Sequence, residues 1–272
     1  MAPNVPTNTD LISITAWKDF YRQMAQRAED IGDTDAAAQY REPLKQGLLP
    51  FRVWQLFAAM AGFVQESDLT GYLAAAGILA HYVGDASQPL HGSIYADGDP
   101  SRPIDRLDDH GNPAFYGKGV HVAYESTMVT EHAGDLIPLI DAQLQGRVDH
   151  GLTLCSNGKG AAEATMTLMT DAATILPPMT LLDSFETNLV DGRNLPSTRD
   201  AMWQQLGDAT AQVMIHGAAT LAMIWDAAWR KGGGTAALLA GAAPSAAEIR
   251  ARYLDNNFLQ SCTLDDVEQH LT

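Results

Sequence analysis

The chain has 272 residues, 46% of them hydrophobic, and a formal net charge of -16 at pH 7. A chain of this length buries a sizeable core, and its apolar content excludes wholesale disorder. No apolar run approaches a membrane span, and the acidity argues against passive adhesion to nucleic acid or anionic lipid, both of which are polyanions.

Taken in order, the elements read as helical throughout. The opening "MAPNVPTNTD" is a polar, proline-bearing leader with no apolar run of signal-peptide length. Residues 17–28 place Trp17, Phe20, Tyr21, Met24 and Ala28 on one helical face. After the "GLLP" break, Val53, Trp54, Phe57, Ala61 and Val64 form a second stripe. Residues 70–88 make an alanine-rich helix, and residues 92–118, crowded with Gly, Pro and Asp, read as a long loop. A second motif helix follows, then helices over residues 161–175 and 198–229, the latter with Leu221, Trp225 and Trp229 four residues apart. The run Gly232 to Gly234 interrupts the pattern, and Ser245 with Glu248 signals a capping box for a short terminal helix. The expected fold is all-α: one multi-helix domain over residues 1–231, with the long loop at the rim of a site between helices. Residues 232–272 are expected to form a glycine-rich linker and helical tail. Cys155 and Cys262 permit one disulfide, and sequence leaves open whether they meet. No Cys-x-x-Cys spacing exists to build a thiolate site.

Chemistry concentrates in two stretches, "LAHYVGDASQPLH" ending at His91 and "GVHVAYE" ending at Glu125. His81 and Asp85 lie four residues apart and so project from one helical face, and His121 and Glu125 repeat that spacing. His91 follows Gln88-Pro89, where the proline discourages further helix and turns the chain back. Imidazole nitrogen and carboxylate oxygen are the donors zinc prefers, and three protein ligands keep a position open for water. His91, His121 and Glu125 would make such an open site. His81 and Asp85 would belong to a second one nearby, with Asp85 able to bridge two ions. Neighbouring zinc ions of that kind suit phosphodiester hydrolysis.

These motifs resemble the zinc-dependent superfamily that joins bacterial phospholipase C to single-strand-specific nucleases. Its His-x3-Asp-x5-His signature around "GD..QPLH", followed by His-x3-Glu or His-x3-Asp, matches His81, Asp85, Gln88, Pro89, Leu90, His91, His121 and Glu125. In outline the resemblance runs from about Leu49 to Trp229, and Glu125 looks more like the phospholipase branch. It implies that His81 binds a first buried zinc, that Asp85 bridges the first and third ions, and that His91, His121 and Glu125 hold a second, more exchangeable zinc. The family's N-terminal ligands, a first tryptophan, an early histidine and a later aspartate-histidine pair, have no counterpart, since residues 1–80 contain no histidine. Either Met1 is not the natural start or some ions have been lost, so one to three Zn2+ are expected.

The resulting expectation is zinc-dependent hydrolysis of phosphodiester bonds by metal-activated water, on single-stranded nucleic acid or a phospholipid headgroup. The alternative is a non-catalytic zinc-stabilised helical protein that has lost the full cluster. The resemblance implies a secreted or periplasmic location, and no protein partner is predicted. His110, His132, His150 and His270 default to solvated surface roles, and His216 to packing on the late helix. Asp97, Asp99, Asp105, Asp108 and Asp109 read as a solvated charge run, so no general base is assigned.

Overall fold

The computed structural model describes residues 13–46, 48–108, 111–144, 155–240, 243–265 and 267–270. Among these the chain is mainly helical, as expected. In order come α1 (Ile14–Asp30), α2 (Thr34–Gln46), α3 (Leu49–Gln65), α4 (Leu69–Ser87), β1 (Asp99–Leu107), β2 (Pro113–Tyr116) and a π-helical segment (Val122–Met128). There follow α5 (Val129–Glu131), α6 (Ala133–Leu144), α7 (Gly158–Ile175), α8 (Pro178–Asn188), α9 (Pro196–Lys231), α10 (Ala236–Leu239), α11 (Ala246–Tyr253) and a 3-10 turn (Val267–His270). Local chemistry sets several starts. Ser13 caps α1 by accepting from the Ala16 amide, Pro50 sits in the first turn of α3 where its missing N–H costs nothing, and the Ser245–Glu248 capping box forms at α11. The leader, Asp109, His110 and His150 lie outside the described residues, as does the side chain of His270.

The chain divides into two compact units. The first comprises Met1–Val83, Thr153–Met166 and Leu221–Thr272, and the second Gly84–Leu152 and Thr167–Thr220. Described residues of the stretch 232–272, which the sequence reads as a linker and tail, contribute to the core of the first unit. Leu264 and Val267 are buried with Phe51 and Cys262, and Trp17, Tyr21 and Trp54 lie against them. The Arg52 guanidinium donates to the carbonyls of Leu259 and Gln260, and the Gln55 amide donates to that of Gln260 at 2.9 Å. Cys262, Leu264 and Val267 are too sparsely spaced to show as an apolar period. Both cysteines are free thiols.

In the second unit Leu90, Val120, Tyr124, Met128, Leu182, Phe185 and Met202 belong to one buried cluster. Part of the expected long loop is a two-stranded antiparallel hairpin, β1 against β2, with irregular register between Asp99 and Leu107. Its prolines, Pro100, Pro103 and Pro113, made it read as loop, yet a two-stranded ribbon is all edge and tolerates them. The hairpin is pinned to α8. Arg106 makes a two-pronged pair with Glu186 at 2.9 and 3.0 Å, the Gly117 amide donates to Glu186 at 2.7 Å, and the Tyr116 hydroxyl donates to Asp183 at 2.7 Å.

Candidate metal centre

Each of three candidate ligands directly follows a buried core residue. Leu90 and Val120 are fully buried and Tyr124 nearly so, and they precede His91, His121 and Glu125. Packing therefore anchors the backbone beside each ligand, while the side chains stay partly accessible, at 26% for His91, 29% for His121 and 38% for Glu125. α4 stops at Ser87, and hydrogen bonds from the His91 amide to the Gln88 carbonyl and from the Ser93 amide to the Leu90 carbonyl carry the chain round after Pro89. The second motif is a π-helical turn rather than the expected α-helix. The Val129 amide reaches the Tyr124 carbonyl five residues back, and His121 and Glu125 still meet.

One donor atom from each of His91, His121 and Glu125 lies within 4.8 Å of the others. The His121 Nε2 is 2.7 Å and the His91 Nε2 3.1 Å from Oε2 of Glu125, and the two imidazole centroids are 5.0 Å apart. Tetrahedral donors at zinc bond lengths stand roughly 3.3 Å apart. The three side chains thus fit one divalent ion with small adjustments, leaving a fourth position open.

A second layer of contacts aims these donors. The Nδ1 of His121 is 2.8 Å from the carbonyl of Ala96, which can only accept, so Nδ1 donates there and Nε2 is the nitrogen turned toward Glu125, the one that would ligate an ion once its own proton is shed. Gln88 donates from Nε2 to Glu125 Oε2 at 3.2 Å, while its own Oε1 accepts from the Leu90 amide. Burial pushes the Glu125 carboxyl up, but the Gln88 amide and the two imidazoles outweigh it and hold the group below its ordinary value. Asp97, read from sequence as part of a solvated run, accepts from the backbone amides of Gly119 and His121 at 3.1 and 3.2 Å and pairs with Lys118 at 2.7 Å. Asp99 is buried and bonded to Ser101, whereas Asp105 is exposed. The Asp108 side chain accepts from the Asn112 amide in the hairpin turn. Sequence reasoning missed Gln88 and Asp97 as ligand supports, although Gln88 lies inside the motif that drew attention to the site.

Asp85 stands one step away, its Oδ2 3.9 Å from Nδ1 of His91, too long for a hydrogen bond. His81, on α4 in the first unit, is exposed and touches the Tyr82 ring edge-on. Neither belongs to the group of three. His132, expected at the surface, is instead largely covered and stacked on Trp203, and His216 is half-buried on α9. A cavity of about 330 Å³ adjoins His121 through Asp97, Lys118, Gly119 and Val122, with Phe185 and Leu189 also in its wall. Among the described residues no serine hydroxyl is hydrogen-bonded to an imidazole.

No known family model and no solved structure matches the chain. A probable serine protease of Bradyrhizobium tropiciagri is 46% identical over 265 residues, which is 96% of this chain. The chain spans about a third, 34%, of that relative's length. This finding overturns the expectation of phosphodiester hydrolysis and with it the nuclease and phospholipase C readings, because a relative so similar over nearly the whole chain bears the name of a protease. His91, His121 and Glu125 form a group that could hold a metal ion, and metal ligation by itself does not select the bond to be cut.

Proposed function

We propose that this chain is a helical zinc-binding unit that serves peptide-bond hydrolysis. The observation that carries the reading is the convergence of His91, His121 and Glu125 within 4.8 Å, with the His121 ring oriented by its Nδ1 contact to the Ala96 carbonyl. Two imidazoles and one glutamate are the donor set of several zinc peptidases, and the relative's name supports a peptide substrate. A zinc ion held there would polarise a carbonyl oxygen and lower the pKa of water. The chain's own contributions are distinct. Gln88 and Asp97 keep the donors aimed, and the cavity walled by Val122, Phe185 and Leu189 accepts a substrate side chain beside the ligands. Hydrolysis adds water across the amide: an oxygen–carbon bond forms, the carbon–nitrogen bond breaks and the departing amine takes a proton. We also propose a relationship to the zinc-dependent superfamily at the level of metal ligation, carried by the two motifs alone.

The test is casein or fluorogenic peptide turnover by the zinc-loaded chain. The expected result is loss of activity on chelation and in Glu125→Ala, with no effect of a serine-directed fluorophosphonate. Covalent labelling of a serine by that reagent, with activity indifferent to chelators, would overturn the assignment.

A further inference from the structure

Within the second unit, away from the ligand group, α6 and α9 line an open groove of about 530 Å³. Its charged lining residues are Asp135 and Asp208, with no cation among them. Both carboxylates are exposed, and neither has a hydrogen bond or ion pair among the described residues. The aromatic wall is Trp203, whose one face carries the His132 ring at 5.0 Å with the planes 5° apart. Gly207, which also lines the groove, lies close to the fused edge of the indole, where a Cβ would stand 3.1 Å from Cδ2 and Cε2, so its lack of a side chain keeps that space open beside a half-buried Trp203. Pro138 and Leu139 add an apolar strip alongside.

We propose that this groove binds the cationic side chain of a basic peptide segment, arginine in preference to lysine. A guanidinium lying on the indole gains a cation–π contact, the two carboxylates supply its counter-charge, and the methylene stem rests on Pro138 and Leu139. The planar guanidinium stacks on an aromatic face better than an ammonium does. The chain's net charge of -16 draws such a peptide in from solution. The groove is separate from the metal ligands, so the inference does not depend on the peptidase reading.

The test is NMR titration of the full-length, isotope-labelled chain with acetyl-Gly-Arg-Gly-amide and, as the neutral control, acetyl-Gly-Gln-Gly-amide. The Trp203 indole N–H resonance, assigned by its disappearance in Trp203→Phe, is expected to shift saturably with the arginine peptide and not with the glutamine one. The double variant Asp135→Asn with Asp208→Asn alters only exposed groups and should melt like the parent, yet bind about fivefold or more weakly, and about 0.5 M salt should weaken the parent similarly. Equal shifts with the two peptides, no shift with either, or unchanged affinity in the double variant would overturn the proposal.

Discussion

Glu125 receives contacts from Gln88, His91 and His121 at 3.2, 3.1 and 2.7 Å, so its carboxylate is the point on which the ligand group closes. Gln88 spans two jobs, orienting that carboxylate and bonding the Leu90 amide next to His91. Gln88→Leu should therefore lower zinc affinity about 10- to 100-fold, read by competition with a chromophoric chelator, while leaving the helical circular dichroism unchanged. Imidazoles and carboxylate must shed their protons to bind metal, so zinc occupancy should fall as pH falls, which metal analysis after dialysis at stepped pH will show. Tyr72 gives the opposite sign. Burial first, and then the nearby Asp226 charge, push its hydroxyl up from 10.0 to about 12 while it donates to the Trp225 carbonyl at 3.0 Å. The neutral form favours the fold, so this contribution is complete below pH 10.0 and is lost as pH rises towards about 12. Near-ultraviolet circular dichroism should show the parent losing stability more steeply than Tyr72→Phe across that window.

Among the elements, the hairpin is the one whose placement matters most to the site. Gly117, at φ +79, ends β2 two residues before Gly119, and a Cβ on it would stand 2.5 Å from Leu182 Cγ. Gly117→Ala combines a disfavoured backbone angle with a collision against a buried residue, so it should cost about 1–3 kcal/mol in chemical denaturation and weaken zinc binding as well. Asp97 ties the chain ahead of the hairpin to the backbone of Gly119 and His121 behind it. None of this shows in the residues' own pattern. Pro and Gly enrichment reports that a regular helix is absent, and it does not report a ribbon pinned by Arg106 to a carboxylate 80 residues away. α4 and α9, in contrast, were legible because alanine-rich stretches and tryptophans at helical spacing are local signals.

At the scale of the whole molecule, no helix among the described residues is long and apolar enough to cross a membrane. A net charge of -16 strains the compact state by self-repulsion. Moderate salt should therefore raise the melting temperature of the metal-free chain, read by differential scanning fluorimetry, as screening shortens the reach of the repulsion. Zinc should raise it further. A ligand at about 100 times its Kd stabilises by about 2.7 kcal/mol, and the shift should vanish in His121→Ala.

By itself the sequence determined the helical class and named five candidate ligands, His81, Asp85, His91, His121 and Glu125, because helix period, i to i+4 spacing and a short motif are properties of neighbours along the chain, and the structure groups the last three of them. Only the tertiary structure decided that Gln88 and Asp97 aim those ligands, that the C-terminal residues Leu264 and Val267 complete a core, and that Asp135, Trp203 and Asp208 share a groove. Those contacts join residues tens to hundreds of positions apart. They depend on how helices pack, a consequence of the summed burial of many side chains that no single stretch of sequence displays.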